Sequence, residues 1–74
     1  MTLDELEAEL IRLHNDPAHA ARLSELHEEA AAHFASDPPA RRFQLTHAWV
    51  FAMVAGDAAR EARLERDLKA LGGL

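Results

Sequence analysis

The residues with the widest chemical range in this 74-residue chain are its five histidines. Imidazole binds transition metals and exchanges a proton near neutral pH. A single helix presents two ligands to one ion at i,i+3 or i,i+4, and no two of these histidines are so spaced. The sequence therefore predicts no metal and no cofactor, although a site assembled across helices from His14, His27 and His47 stays open. The five are His14, His19, His27, His33 and His47.

His47 shares the apolar side of a predicted helix with Phe43, Val50 and Val54. A partly buried imidazole there would resist protonation and make assembly sensitive to mild acid. The alternative, which we favour, is a histidine at the edge of the core whose N–H donates to a neighbouring carbonyl.

Nucleophilic catalysis has little support in the sequence. There is no cysteine, the only serines are Ser24 and Ser36, and the three glycines form no phosphate-binding loop. A chain of this size also has little material for a water-excluding pocket. We therefore expect neither an enzyme nor a small-molecule substrate.

Composition and charge exclude further classes. Apolar residues make up 49% of the chain, too many for a disordered protein, and the apolar run 48–55 is too short to span a bilayer. The net charge is −5, which disfavours binding to nucleic acid or to an anionic membrane. Residues 1–37 carry nine acids and two bases, whereas residues 38–74 carry four acids and six bases, so the two halves attract each other. Four carboxylates among the first nine residues do not resemble a signal peptide, and we expect a cytoplasmic protein.

Helix start and stop signals divide the chain into four segments. Thr2 opens a capping box, the Asp-Pro pairs at 16–17 and 37–38 are typical helix starts, and Gly56-Asp57 ends one helix and begins the next. The sequence predicts an all-α single domain, residues 1–74, with helices at about 3–14, 17–35, 38–55 and 58–71. The short connections predict antiparallel neighbours in a small bundle with the third helix central, and residues 72–74 are expected to fray.

The third segment carries the candidate site. It is apolar in every direction, a pattern typical of a buried helix, yet only three helices with narrow apolar stripes are present to cover it. A strand over 49–54 is the alternative, but the Ala and Met content and the Asp-Pro start favour helix. The predicted partner-binding residues are Phe43, Trp49, Val50, Phe51, Met53 and Val54.

These observations predict a non-enzymatic interaction module, an adaptor or regulator that forms a homodimer or binds a partner helix through the apolar surface around Trp49. A partner bearing a basic amphipathic helix would suit the acidic first helix. The alternative is a small DNA-associated regulator that uses Arg41, Arg42 and Gln44 at the start of the third helix, although the net charge disfavours it.

Overall fold

Four α-helices and no strand make up the computed structural model, which describes residues 1–74. The helices are α1 (Leu3–Leu13), α2 (Ala20–Ala32), α3 (Pro38–Ala55) and α4 (Ala58–Ala70), and a 3₁₀ turn at Pro17–His19 precedes α2. The all-α prediction is confirmed, and the bounds of α3 are those expected from the sequence.

The helix starts use the side chains that the sequence predicts. The Thr2 hydroxyl accepts from the Glu5 amide while the Glu5 carboxylate accepts from the Thr2 amide, which completes a capping box. Asp37 and Asp57 accept from the backbone amides of Ala40 and Arg60. Each cap satisfies a backbone N–H that has no partner within its helix, so the sequence sets where α1, α3 and α4 begin.

The second helix is shorter than the predicted 17–35. The Asp16 carboxylate accepts from the amide of Ala18, only two residues further on, and the His19 amide donates to the Asp16 carbonyl. These local bonds wind the first turn as a 3₁₀ helix, and α2 begins at Ala20. At the other end, the Phe34 amide reaches back only three residues, to Ala31, and the α-helix has ended at Ala32.

The helices pack into a flat slab whose Cα atoms extend 30 × 28 × 15 Å. The most extensive helix–helix interface joins α2 to α3. Two apolar clusters fill the slab. The first joins α2 and α3 to α4, and the second joins α1 to α2. The first contains Ala31, Leu45, Ala48, Ala52, Leu64 and Leu68, and the second contains Leu6, Leu13, Leu23, Leu26 and Ala30.

Burial is uneven between the two central helices. Seven of the thirteen residues of α2 are buried, whereas α3 buries only Leu45, Ala48 and Ala52 out of eighteen. In a slab this thin, α3 has neighbours along only part of its circumference. The packing supports a helical bundle, and the central position of helix three stays a prediction. No helix has the length and the apolar character needed to cross a membrane.

Candidate interaction surface

A row of four side chains on α3, which we call the α3 stripe, defines the candidate surface. It consists of Phe43, His47, Val50 and Val54, spaced 4-3-4 along the helix. At 100° per residue these four lie within about 60° of arc, and the buried residues of α3 lie on the opposite side. Asp37 caps the start of this helix and Gly56 ends it in a left-handed conformation with φ of 75°. The stripe therefore lies on a single uninterrupted helix of five turns.

The apolar members of the stripe are exposed. Phe43 is 58% exposed, Val54 52% and Val50 42%, and the neighbouring Met53 is 39% exposed. No Asp, Glu, Lys or Arg occurs between Phe43 and Gly56, so no charge interrupts the surface. Large exposed apolar patches on proteins often mark interaction sites, which makes this face the candidate site.

The other two predicted site residues lie in different surroundings. Trp49 is partly buried against the cluster that joins α3 to α4, with its indole Nε1 enclosed and without a hydrogen-bond partner. Phe51 is partly buried against the α1–α2 cluster. Of the six predicted residues, the structure thus brings four together at the surface and places Trp49 and Phe51 as packing side chains behind them.

An open groove of about 520 Å³ runs beside the Phe43 end of the stripe. It lies between the end of α1, the middle of α2 and the first half of α3, and it brings together three of the five histidines. Its lining residues are Leu10, Ile11, His14, Asn15, His27, Phe43, Gln44 and His47. Ile11, which is 70% exposed, extends the apolar surface across the groove. In the sequence, Leu3, Leu6, Leu10 and Leu13 recur on one face of the first helix, and Ile11 lies outside that face.

His27 is the most buried histidine of the groove, with 7% of its surface exposed. Its Nδ1–H donates to Gln44 Oε1 at 2.8 Å, and its ring stacks on Phe51 with a centroid distance of 5.7 Å. The ring of His47 lies 5.0 Å away, and His27 Nε2 is buried without a hydrogen-bond partner. Burial of the imidazole lowers the pKa of His27 from its ordinary value near 6.5, and the neighbouring His47 lowers it further against the opposing effect of the Gln44 hydrogen bond.

His47 has the arrangement that we favoured for it. Its Nδ1–H donates to the Phe43 carbonyl at 2.9 Å, and its ring lies 4.3 Å from the Phe43 ring, centroid to centroid. The bond holds the imidazole along the helix, so that its ring forms part of the stripe surface. His14, His27 and His47 do converge on one groove, but no group of three or more His, Cys, Asp or Glu side chains is placed to hold a metal ion.

Two of the three residues of the DNA-binding alternative make hydrogen bonds within the chain. Gln44 Oε1 accepts from His27, and the Arg42 guanidinium donates to the Leu71 carbonyl at 3.4 Å. Arg41 and Arg42 do not contribute to the attraction between the two halves of the chain, since neither pairs with a carboxylate.

The charge attraction between the two halves of the chain is made instead by arginines of α4 and a carboxylate of α2. Glu28 of α2 accepts from the guanidinium groups of Arg60 and Arg63, and Arg60 Nε also donates to the Ser24 hydroxyl at 2.9 Å. The Ser24 hydroxyl in turn donates to the Ala48 carbonyl at 2.7 Å in the buried α2–α3 interface. The hydrogen bond from Arg63, with the charges of both arginines, holds the pKa of Glu28 below its ordinary value. This network ties α4 to α2 and, through Ser24, to α3.

Comparison with known proteins found no match among family models, curated proteins or solved structures. The function is accordingly inferred from the geometry and chemistry of the surface.

Proposed function

We propose that this chain is a non-enzymatic helical interaction module, an adaptor or regulator, which holds another helix on the exposed apolar face of α3. The occupant is a second copy of the chain or a helix of a partner protein. The observation that carries the proposal is the exposure of Phe43, Val50, Met53 and Val54 on a helix with no charged residue between 43 and 56.

The energetics support this assignment. Burying apolar surface contributes about 25 cal/mol per Å², so a patch of a few hundred Å² supplies several kcal/mol of gross binding free energy. That quantity is comparable to the stability of a small domain. Trp49 and Phe51 hold α3 in place beneath this surface, because Trp49 packs against one core cluster and Phe51 against the other.

Catalysis is disfavoured by the same geometry. The Ser24 hydroxyl is buried and already donates to a backbone carbonyl, and the groove beside the stripe is open to solvent. We also propose that neighbouring helices run antiparallel. Support comes from the contact of Arg42, near the start of α3, with Leu71 at the end of α4, and from the pairing of Ser24 with Ala48 and of His27 with Gln44. A cytoplasmic location fits a small chain without cysteine, since small secreted domains rely on disulfides.

The test compares Val50→Glu with Ala62→Glu, a matched change at an exposed position of α4. Sedimentation equilibrium over a wide concentration range measures self-association, and capture experiments with each protein as bait measure partner binding. The proposal expects Val50→Glu to abolish an association that the wild type and Ala62→Glu both retain, with equal helicity in all three. If every association of the wild type survives in Val50→Glu, the α3 face is not the binding surface.

A further inference from the structure

The α3 stripe is symmetric along the helix. Its members stand at positions 43, 47, 50 and 54, so the midpoint of the stripe falls between Ala48 and Trp49. A 4-3-4 spacing is the seam of a two-helix coiled coil, in which side chains of one helix enter the gaps between those of the other. A second α3 that runs antiparallel about this midpoint sets Phe43 opposite Val54 of the copy and His47 opposite its Val50.

From this arrangement we infer that the occupant of the α3 stripe is a second copy of this chain, paired through α3 in antiparallel orientation about a two-fold axis. The inference rests on the proposed function and names the partner and its orientation. In the antiparallel pair each layer joins a ring to a small β-branched side chain. In a parallel pair, Phe43 would meet Phe43 of the copy and His47 would meet His47. Two layers would then be crowded by paired rings, and the valine layers would be left underfilled.

Charge distinguishes the occupants and the orientations. No Asp, Glu, Lys or Arg lies between positions 43 and 56 of α3. A charged partner helix would therefore find no oppositely charged group there, whereas the same uncharged face of a second copy brings no charge that needs one. The start of α3 carries both an acid, Asp37, and the bases Arg41 and Arg42, so the helix dipole is the clearer guide to orientation. Antiparallel pairing brings helix ends of opposite dipole together, and parallel pairing brings like ends together.

The exposed apolar area of the stripe sets the expected stability of the dimer. An aromatic side chain carries about 150–250 Å² and an aliphatic one less, so the exposed fractions of the side chains around the stripe amount to roughly 400 Å² per copy. These residues are Phe43, Val50, Met53, Val54 and, across the groove, Ile11. The pair would bury about 800 Å² in total, below the range of ~1,200–2,000 Å² of stable complexes. We therefore expect a weak, concentration-dependent dimer.

Cysteine cross-linking reads the orientation directly, because the natural chain has no cysteine. Phe43→Cys and Val54→Cys proteins are mixed in equal amounts and treated with a short bis-maleimide, and the products are separated by mass. In an antiparallel pair, position 43 lies beside position 54 of the copy, and like-numbered positions are about 16 Å apart along the axis. We expect the mixed 43–54 product to exceed the like-with-like products several-fold, and Ala62→Cys to give neither.

A charge exchange provides a second measurement that needs no cross-linker. Phe43→Lys and Val54→Glu each place a charge in the seam, and each is expected to weaken the dimer at least about tenfold in sedimentation equilibrium. In an antiparallel pair, the double variant sets the lysine introduced at position 43 beside the glutamate introduced at position 54 of the copy, and it does so twice. The double variant is therefore expected to regain most of the loss. Circular dichroism checks that all three keep the wild-type helicity.

The outcomes separate the inference from the proposed function. Two results would establish a parallel pair: cross-linking of Val54→Cys to itself, or a double variant whose dimer is weaker than that of either single variant. Either result would overturn the inference and leave α3 as the binding face. A wild type that is monomeric at every concentration and gives no cross-link would also overturn it. In that case the proposed function stands or falls on capture of a partner helix by the wild type and not by Val50→Glu.

Discussion

Acidification is expected to destabilise the fold through His27, whose neutral ring is packed between α2 and α3. The imidazole is stacked on Phe51, donates one hydrogen bond to Gln44 and leaves Nε2 without a partner. A second proton would have to enter at this enclosed nitrogen. The charged ring would then sit beside His47, with no acceptor for the new N–H. The folded state therefore disfavours the proton, and the unfolded chain does not.

The surroundings of His27 offer no compensating negative charge. The titratable groups that share its groove are His47 from α3 and His14 from the end of α1, and no carboxylate lines the groove. Glu28, the next residue along α2, is directed to Arg60 and Arg63 of α4. The His47 ring beside it disfavours the proton on His27 further.

The sign and size of the effect follow from linkage. Because the pKa of His27 is lower in the folded state, its contribution to stability is complete above about pH 6.5 and is lost as the pH falls below that value. The free energy of unfolding should decrease by up to about 1.4 kcal/mol per pH unit in that window, the equivalent of one proton. The window lies above the range in which Glu28 titrates, so the two effects can be separated.

Urea unfolding followed by circular dichroism, in half-unit steps from pH 7.5 to 5, measures the effect. The informative variant is His27→Asn, whose side-chain amide can still donate towards Gln44 but does not titrate. His19→Asn, at an exposed position, is the matched control. We expect the stability of the wild type and of His19→Asn to fall with acid and that of His27→Asn to stay nearly level. Parallel curves for all three proteins would refute the reasoning.

Three further predictions concern the packing that positions the stripe. Leu64→Ala removes a fully buried side chain and should cost about 2–5 kcal/mol in urea unfolding, whereas Ile11→Ala at the exposed groove edge should cost well under 1 kcal/mol. Ser24→Ala removes the hydrogen bond to the Ala48 carbonyl at the α2–α3 interface and leaves the Arg60 guanidinium of α4 with one acceptor fewer. It should cost about 1–3 kcal/mol of stability, measured as a lower thermal midpoint. Glu28→Gln should lower the free energy of unfolding by about 1 kcal/mol at pH 7. The loss should shrink as the pH falls through 4.5 and below, where the wild-type carboxylate takes up a proton. The control Glu25→Gln, which removes an exposed carboxylate, should show neither the loss at pH 7 nor its dependence on pH.

The helix positions were largely predictable because they depend on local chemistry. The caps at Thr2, Asp37 and Asp57 and the left-handed Gly56 act over three or four residues, and the sequence displays each of them. The start of α2 was predicted three residues early, since the sequence does not reveal that Asp16 would bond to Ala18 and tighten the first turn. The left-handed His14 that ends α1 was equally hidden, because glycine or asparagine is the usual residue there.

The candidate site was only partly predictable because it depends on which helix covers which face. The periodicity of α3 separates the side of Phe43 and Val54 from the side of Trp49, but it does not say which side meets the core. The slab settles this by placing α2 and α4 against Leu45, Ala48 and Ala52. The role of His27 was also missed, although its position four residues after Leu23 placed it on the apolar side of α2.

The distribution of side-chain sizes on α3 is consistent with the proposed function. Two of the three buried residues are alanines, which let neighbouring helices approach closely, and the larger Phe43, Val50 and Val54 face solvent. A chain under selection only to fold as a monomer gains from the reverse order, because each large apolar side chain moved inward adds about 1.5–3 kcal/mol of burial. Substituting polar residues along the stripe should accordingly leave the fold intact and remove only association. Folding alone does not require the apolar character of the stripe, and the proposed function accounts for it by covering these side chains with another helix.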